Sequence, residues 1–69
     1  MKIGGRLKEL RKTQGETQAQ VAQAVGMGER HYQRVEADDG LPGLEIFCAL
    51  ADHFGVSLDY LAGRSEERG

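Results

Sequence analysis

Residues 17–36 read TQAQVAQAVGMGERHYQRVE, and this stretch decides the fold. Thr17 followed three positions later by Gln20 is the pattern of a capping box, which begins a helix by satisfying free backbone N–H groups. Apolar residues then recur on one short face until Gly26, a residue type that commonly ends helices in the left-handed conformation. The pattern therefore predicts a short helix that ends at Gly26 and a second helix that begins at Glu29.

The connection between these two helices is the tripeptide glycine, methionine, glycine at 26–28. Glycine favours a left-handed turn, and the apolar Met27 between the two glycines is placed to tuck under the corner. The helix that follows is predicted to run to about Ala37, with Tyr32 and Val35 as its inward pair. Two short helices joined by a tight turn indicate a helix-turn-helix, whose second helix lies in the major groove of DNA.

Three further helices are predicted on either side of this pair. The first runs from Ile3 to about Gln14 on an apolar stripe at helical spacing. The fourth runs from Leu44 to Phe54 after a turn-rich loop, and Ser57 is a suitable N-cap for a short fifth helix through Ala62. The residues expected to face inward on these helices are Ile3, Leu7, Leu10, Leu44, Phe47, Leu50, Ala51, Phe54, Leu58 and Leu61. No segment shows strand alternation, so the predicted fold class is all-α: a compact five-helix domain with a helix-turn-helix over 1–63, with a charged tail over 64–69 that we expect to be flexible.

The charge distribution is uneven along the 69 residues, although the net charge is only −2. Residues 1–34 carry seven Lys or Arg against three Glu, a net +4, whereas residues 35–69 carry two Arg against eight acidic residues, a net −6. Such asymmetry is typical of a protein with a polyanionic partner. Two solvated helix faces of opposite sign would give the same composition, so charge alone leaves both interpretations open.

Several functional classes are not supported by the sequence. The single cysteine, Cys48, lies in an apolar helical stretch and is expected to be a small core side chain. His31 and His53 are far apart, are expected to be exposed, and have no cluster of acids or cysteines with which to bind a metal ion. No apolar run approaches a bilayer span or a secretory signal. We therefore expect a cytoplasmic protein that is not an enzyme, with no cofactor, metal or small-molecule ligand.

The exposed face of the third helix carries the residue types that read DNA bases. Arginine pairs with guanine, glutamine with adenine, and glutamate accepts a hydrogen bond from cytosine. This contiguous face consists of Glu29, Arg30, Gln33 and Arg34. Gly28, directly before it, would let the helix start approach DNA closely. Exposed helices also carry these residues for solubility, so the face taken alone does not decide between the two.

The order and spacing of segments from Ile3 to Gly63 resemble the Cro/repressor-type (XRE) helix-turn-helix family. The segments that carry the resemblance are IGGRLKELR (3–11), TQAQVA (17–22), VGM (25–27), YQRVE (32–36), Pro42 and LADHFGVSLDYLAG (50–63). The resemblance implies a lambda-repressor-like, operator-binding domain, usually homodimeric, so double-stranded DNA and a second copy are the expected partners. It also implies that Gly28, Glu29, Arg30, Gln33 and Arg34 lie at the base-reading positions.

The resemblance also implies positioning roles outside the third helix. Gln18, at the start of the helix capped by Thr17, resembles a family glutamine that touches a phosphate and braces the third helix, here through Glu29. Arg11 and Glu36 resemble a structural ion pair between helices one and three. The alternative for Arg11 is direct contact with a phosphate.

Departures from the family pattern concern the loop after the third helix and the dimer surface. Asp38 and Asp39 stand where family members often carry glycine and basic residues, and two carboxylates near phosphates would weaken binding. The region Tyr60–Arg64 and the exposed parts of helices four and five are candidate dimer surfaces. We expect a sequence-specific repressor that binds a palindromic operator as a homodimer; the alternative is an antitoxin-like module that uses the same fold to dock a protein.

Overall fold

Five helices make up the regular structure in a computed structural model that describes residues 2–69. They are α1 (Gly4–Thr13), α2 (Gln18–Val25), α3 (Glu29–Glu36), α4 (Leu44–Phe54) and α5 (Leu58–Leu61), with no strand in this part of the chain. The predicted all-α, five-helix fold is confirmed, with helix ends within one or two residues of those expected. No helix within residues 2–69 has the length and apolar character needed to cross a membrane.

The helix-turn-helix corner forms for the local reasons that the sequence indicated. The Thr17 hydroxyl accepts a hydrogen bond from the Gln20 backbone N–H at 3.1 Å, and the Gln20 side chain accepts one from the Thr17 N–H at 2.8 Å. Gly26 ends α2 with φ +78°, a conformation that favours glycine. Gly28, in contrast, has φ −70° and extended backbone, so only the first of the two turn glycines uses a left-handed conformation.

The core lies where α1, α2, α3 and α4 meet, and it is closed by α5. Its buried apolar residues are Ile3, Leu7, Leu10, Val21, Ala22, Val25, Tyr32, Val35, Leu50, Ala51, Phe54, Tyr60 and Leu61. Met27 is half-buried and packs against this core under the corner between α2 and α3, as predicted. Tyr32 and Val35 are fully buried, so α3 is anchored by the two residues that the sequence assigned to that role.

Two leucines predicted to face inward are exposed instead. Leu44 is 75% exposed and Leu58 is 44% exposed. Each is the first residue of its helix, where the chain is still entering the domain and no other helix covers it. Phe47 and Cys48 are half-buried at the edge of the core, so Cys48 is a boundary residue and the prediction of a core side chain was wrong.

The backbones of α1 and α3 come very close at Gly4, where α1 packs against the end of α3. A Cβ atom at this position would lie 2.1 Å from the carbonyl oxygen of Glu36, well inside any allowed contact. The Gly4 N–H also donates to the Asp38 carboxylate at 2.9 Å, and Asp38 has φ +61°. Asp38 therefore caps the start of α1, a role that the sequence did not predict.

The charged tail 64–69 makes defined contacts with the domain. Arg6 donates from Nη1 to the Tyr60 carbonyl oxygen at 2.6 Å and to the Ser65 carbonyl oxygen at 2.7 Å. Its guanidinium also lies 4.1 Å from the centre of the Tyr60 ring, a cation–π geometry. The Ser57 N–H donates to the Arg68 carbonyl oxygen. The sequence predicted none of these contacts, because the contacts of Arg6 span more than fifty positions and the contact of Ser57 joins backbone groups only. The domain boundary at residue 63 stays a prediction.

Candidate nucleic-acid interface

The outward face of α3 is available to a partner. Tyr32, Val35 and Glu36 are buried on the opposite side of the helix. All four side chains predicted to read bases are exposed: Glu29, Arg30, Gln33 and Arg34. The structure thus brings the candidate residues together on one face.

Gly28 stands at the N-cap of α3 and is exposed. A Cβ atom added there would meet nothing within 4 Å. The fold itself therefore does not require glycine at this position. The space in front of the helix start is open to a ligand.

Side-chain contacts on this face are few and weak. Gln33 donates to Glu29 at 3.3 Å, one turn away on the same helix. Arg34 Nε lies 3.4 Å from Asp39 Oδ2, and both side chains are more than 60% exposed. Exposed pairs of this kind contribute little to stability, so these side chains are free to reorient towards a base edge. Because Arg34 contacts Asp39, the acidic loop would compete with a bound partner for the Arg34 guanidinium.

A buried ion pair lies on the side of α3 opposite this exposed face. Arg11 donates from Nε to Glu36 Oε2 at 2.9 Å and from Nη2 to Glu36 Oε1 at 2.8 Å. Arg11 also donates to the Glu16 carbonyl oxygen at 3.1 Å. The side chains of Arg11 and Glu36 are only 13% and 3% exposed, so each charge depends on its partner. This is the Arg/Glu pair between α1 and α3 that the family resemblance implied.

The charges of this pair are held by their mutual contact. Burial by itself raises the pKa of the Glu36 carboxyl, but the hydrogen bonds from Arg11 and Gln18 outweigh burial, and the pKa is lowered from its ordinary value. The hydrogen bond to Glu36 likewise raises the pKa of Arg11. Both groups are therefore ionised at neutral pH, and the carboxylate is the acceptor around which the helices are arranged.

Gln18 joins this network instead of bracing Glu29. Its Nε2 donates to Glu36 Oε1 at 3.1 Å. The predicted brace to Glu29 was wrong, because Glu29 lies at the opposite end of α3 on the solvent side, whereas the Glu36 carboxylate is buried and still has a lone pair to fill. Gln18 thus fixes α2 to the end of α3.

Tyr32 introduces one unsatisfied polar group close to this network. Its hydroxyl is buried and has no hydrogen-bond partner within residues 2–69. Burial raises the pKa of Tyr32 above its usual value, with the neighbouring Glu36 carboxylate acting in the same direction. The phenol is therefore neutral, and its ring serves as a core side chain.

His53 has a partner that the sequence did not reveal. Its Nε2 lies 2.9 Å from both carboxylate oxygens of Glu16, and both side chains are about one-fifth exposed. The prediction of an exposed His53 was wrong, because α4 packs against α2 and brings the histidine to the loop before that helix. His31, in contrast, is exposed as expected. The two histidines do not form a common site.

Two concave surfaces lie beside α3. A polar notch of about 140 Å³ between α1, α2 and α3 is lined by Lys8, Gln18, Gln33, Glu36 and Ala37. An apolar groove of about 300 Å³ at the start of α4 is lined by Leu41, Pro42, Leu44 and Phe47. Lys8 was not among the predicted site residues. Its spacing of three from Arg11 places both on one side of α1, and this was the signal that could have identified it.

Comparison with known proteins agrees with this architecture. A family model described as Helix-turn-helix matches residues 7–61, well over half of the chain. The cryptic phage CTXphi transcriptional repressor RstR of Vibrio cholerae is 41% identical over 64 residues, which cover 93% of this chain and 57% of that protein. The HTH-type transcriptional regulator ImmR of Bacillus subtilis is 35% identical over 66 residues, covering 96% and 52%. The chain thus spans a little over half the length of these relatives.

A solved structure shows the same fold at lower sequence identity. The N-terminal DNA binding domain of SinR from Bacillus subtilis superposes with a TM-score of 0.82, covers 94% of this chain and 96% of its own, and is 23% identical. At this identity the likeness concerns the fold alone. The family match, the identities to the two regulators and the five-helix fold lead to one conclusion: the chain belongs to the XRE-type helix-turn-helix family.

Proposed function

We propose that the protein is a sequence-specific, double-stranded DNA-binding transcription regulator that represses by occupying an operator, and that it is not an enzyme. The observation that carries this proposal is the exposed Arg, Gln and Glu face of α3, held from below by a buried carboxylate. RstR is named as a transcriptional repressor and ImmR as a transcriptional regulator, which supports the same function here. Such a regulator acts in the cytoplasm, where the chromosome lies.

The proposed contacts follow from the placement of the side chains. Arg30, Gln33 and Arg34 are offered to base edges in the major groove, and Glu29 to a cytosine amino group. Gly28 leaves room for the backbone of the helix start to come close to the duplex. Thr17 and Gln18, at the beginning of α2, lie where a helix that crosses the backbone would meet a phosphate.

We further propose that the protein binds a palindromic operator as a homodimer. Of the candidate surfaces, Tyr60 is buried beneath Arg6 and is therefore not offered to a second copy. Of the exposed parts of α4 and α5, the apolar groove at the start of α4 presents the larger apolar surface, with Leu41 and Leu44 53% and 75% exposed against 44% for Leu58 on α5. The groove follows α3 directly along the chain, so a two-fold axis through it would bring the two copies of α3 near each other. Two half-sites would lie one helical turn apart, roughly 34 Å.

Selection of duplexes from a random pool by the purified protein tests the DNA proposal. We expect a preferred sequence with two-fold symmetry. The logarithm of the binding constant should fall by about 0.9 per phosphate contact for each tenfold rise in salt concentration. Recovery of no preferred duplex would refute sequence-specific binding.

Sedimentation of Leu44→Ser tests the dimer. This variant should be monomeric at concentrations where Leu58→Ser, which alters another exposed leucine, remains dimeric. Identical sedimentation of both would place the dimer surface elsewhere.

A further inference from the structure

We infer that Lys8 is the residue that supplies the positive charge for a DNA backbone phosphate, and that this phosphate occupies the polar notch between α1, α2 and α3. The inference rests on the proposed DNA-binding function. It concerns a residue that neither the α3 face nor the beginning of α2 includes.

The position of the notch is the first argument. Two of its walls are Gln18, the proposed phosphate contact on α2, and Gln33, a proposed base contact on α3. Any duplex that reaches both amides must pass over the opening between them. Lys8 forms the third wall from α1 and is exposed. Its ammonium group is thus on the side of the domain that faces the duplex.

The donors of Arg11 are the second argument. Arg11 was the cation expected to contact a phosphate, but its Nε and Nη2 are bound to Glu36 and its Nη1 to the Glu16 carbonyl oxygen. Its charge is balanced by a carboxylate at 2.8 Å, and its side chain is 13% exposed. Arg11 therefore uses three of its five N–H groups and its charge within the fold, so a phosphate beside it would need a further cation.

The charge balance of the notch is the third argument. Glu36 lines its floor, yet its carboxylate is 3% exposed and is neutralised by Arg11. Among residues 2–69, Lys8 has no acidic partner within ion-pair distance. Lys8 and Arg11 against Glu36 therefore give the notch, together with the ion pair at its floor, one net positive charge. Gln18 and Gln33 each use one amide N–H on a carboxylate and keep a second for an anion.

The size of the notch suits a phosphate group. Its volume of about 140 Å³ exceeds that of several water molecules, each of which occupies about 30 Å³ in the liquid. The notch is open on one side, so a phosphate that remains part of a duplex backbone can enter without opening the fold. Lysine ammonium groups and glutamine amides are both among the donors that proteins use on DNA backbone phosphates.

Salt titration of duplex binding tests this assignment, with the preferred duplex from the random pool as the ligand and fluorescence anisotropy as the readout. Lys8→Ala should bind more weakly than wild type at 50 mM salt, and its logarithmic salt slope should be shallower by about 0.9. From 50 to 200 mM salt, the affinity advantage of wild type should accordingly shrink about 3.5-fold. Lys8→Arg should retain the wild-type slope. Lys12→Ala removes the same charge from the next turn of α1, outside the notch, and should leave the slope unchanged.

The outcomes separate this assignment from the proposed function. Wild-type binding with an unchanged slope in Lys8→Ala would refute the assignment alone. Equal losses in Lys8→Ala and Lys12→Ala would refute it as well, since the notch would then have no special role. A changed base preference in Lys8→Ala would make Lys8 a base contact. A wild-type chain that binds no duplex would refute both the function and the assignment. Thermal unfolding confirms that each variant is folded.

Discussion

Gly4 and Gly5 are neighbours in the first turn of α1, and replacement by alanine should have opposite effects at the two positions. At Gly4, the new Cβ would lie 2.1 Å from the Glu36 carbonyl oxygen and 2.7 Å from its carbon, both backbone atoms that no rotamer change can move. The start of α1 must therefore shift by about 1 Å away from α3 to reach an ordinary contact. Overpacking of this kind costs about 1 to 3 kcal/mol, and the loss of the Gly4 hydrogen bond to Asp38 about 1 kcal/mol more.

The same substitution at Gly5 meets nothing within 4 Å. Alanine reduces the freedom of the unfolded chain, so Gly5→Ala should stabilise the fold by about 0.4 to 1 kcal/mol. For 69 residues, the unfolding entropy is about 145 cal/mol/K near 60 °C. Gly4→Ala should consequently lower the Tm by about 14 to 28 °C, and Gly5→Ala should raise it by about 3 to 7 °C.

Circular dichroism melts of the two variants beside wild type measure both shifts. A Gly4→Ala protein that melts within 3 °C of wild type would show that α1 and α3 are not in direct backbone contact. The arrangement of the Arg11–Glu36 pair behind the exposed face of α3 would then have to be reconsidered, since it depends on the same approach of α1 to α3.

Substitutions at Glu36, Arg34 and Asp39 test the interface and its support. Glu36→Ala leaves Arg11 buried without a partner and should lower the free energy of unfolding by about 3 to 5 kcal/mol. As a control, Glu45→Ala at an exposed position should change it by less than about 0.5 kcal/mol. Equal melting temperatures for the two variants would place the Arg11–Glu36 pair in solvent. The pKa of Glu36 in the folded protein lies below its ordinary 4.5. The contribution of the Glu36 carboxylate to folding stability is therefore complete above pH 4.5 and is lost as the pH falls below the folded-state pKa. Glu36→Gln should flatten this acidic part of a Tm-versus-pH curve. Arg34→Ala should cost about 1 to 3 kcal/mol of binding and relax the preference at one base pair in a selection experiment; a uniform loss on all duplexes would make Arg34 a phosphate contact. Asp39→Asn releases Arg34 and removes a negative charge from the loop, so duplex affinity measured at low salt should rise, and an unchanged affinity would show that Asp39 stays clear of the DNA.

Local patterns predicted the helices and the orientation of α3 well. The capping box at Thr17, the left-handed glycine at 26 and the inward Tyr32 and Val35 depend on residues within a few positions of one another, and all are present. The exposed face of α3 follows from the same periodicity. The pair of Arg11 with Glu36 was available only through the family resemblance, since no local rule joins positions that are 25 residues apart.

Contacts between distant segments were the part that sequence could not supply. From the sequence alone, Gln18 could pair with Glu29 or with Glu36, which lie at opposite ends of α3. Only the packing of α2 against α3 selects the buried Glu36. The partner of His53 is 37 positions away, and the contacts of Arg6 with the tail span more than fifty. Leu44 lies on the apolar stripe of α4 but beyond the edge of the core, where it is exposed. Periodicity predicts the direction in which a side chain points, but not how far the neighbouring helices extend to cover it.

The division of labour within α3 has an evolutionary consequence. Tyr32, Val35 and Glu36 hold the helix in place, while the four exposed residues at 29, 30, 33 and 34 contribute almost nothing to the fold. Surface substitutions of that kind usually change stability by less than about 0.5 kcal/mol. Under the proposed function, the recognised sequence can therefore diverge through mutations at these four positions while the scaffold stays intact. Closely related copies of this domain in one cell could then acquire separate targets without passing through unfolded intermediates.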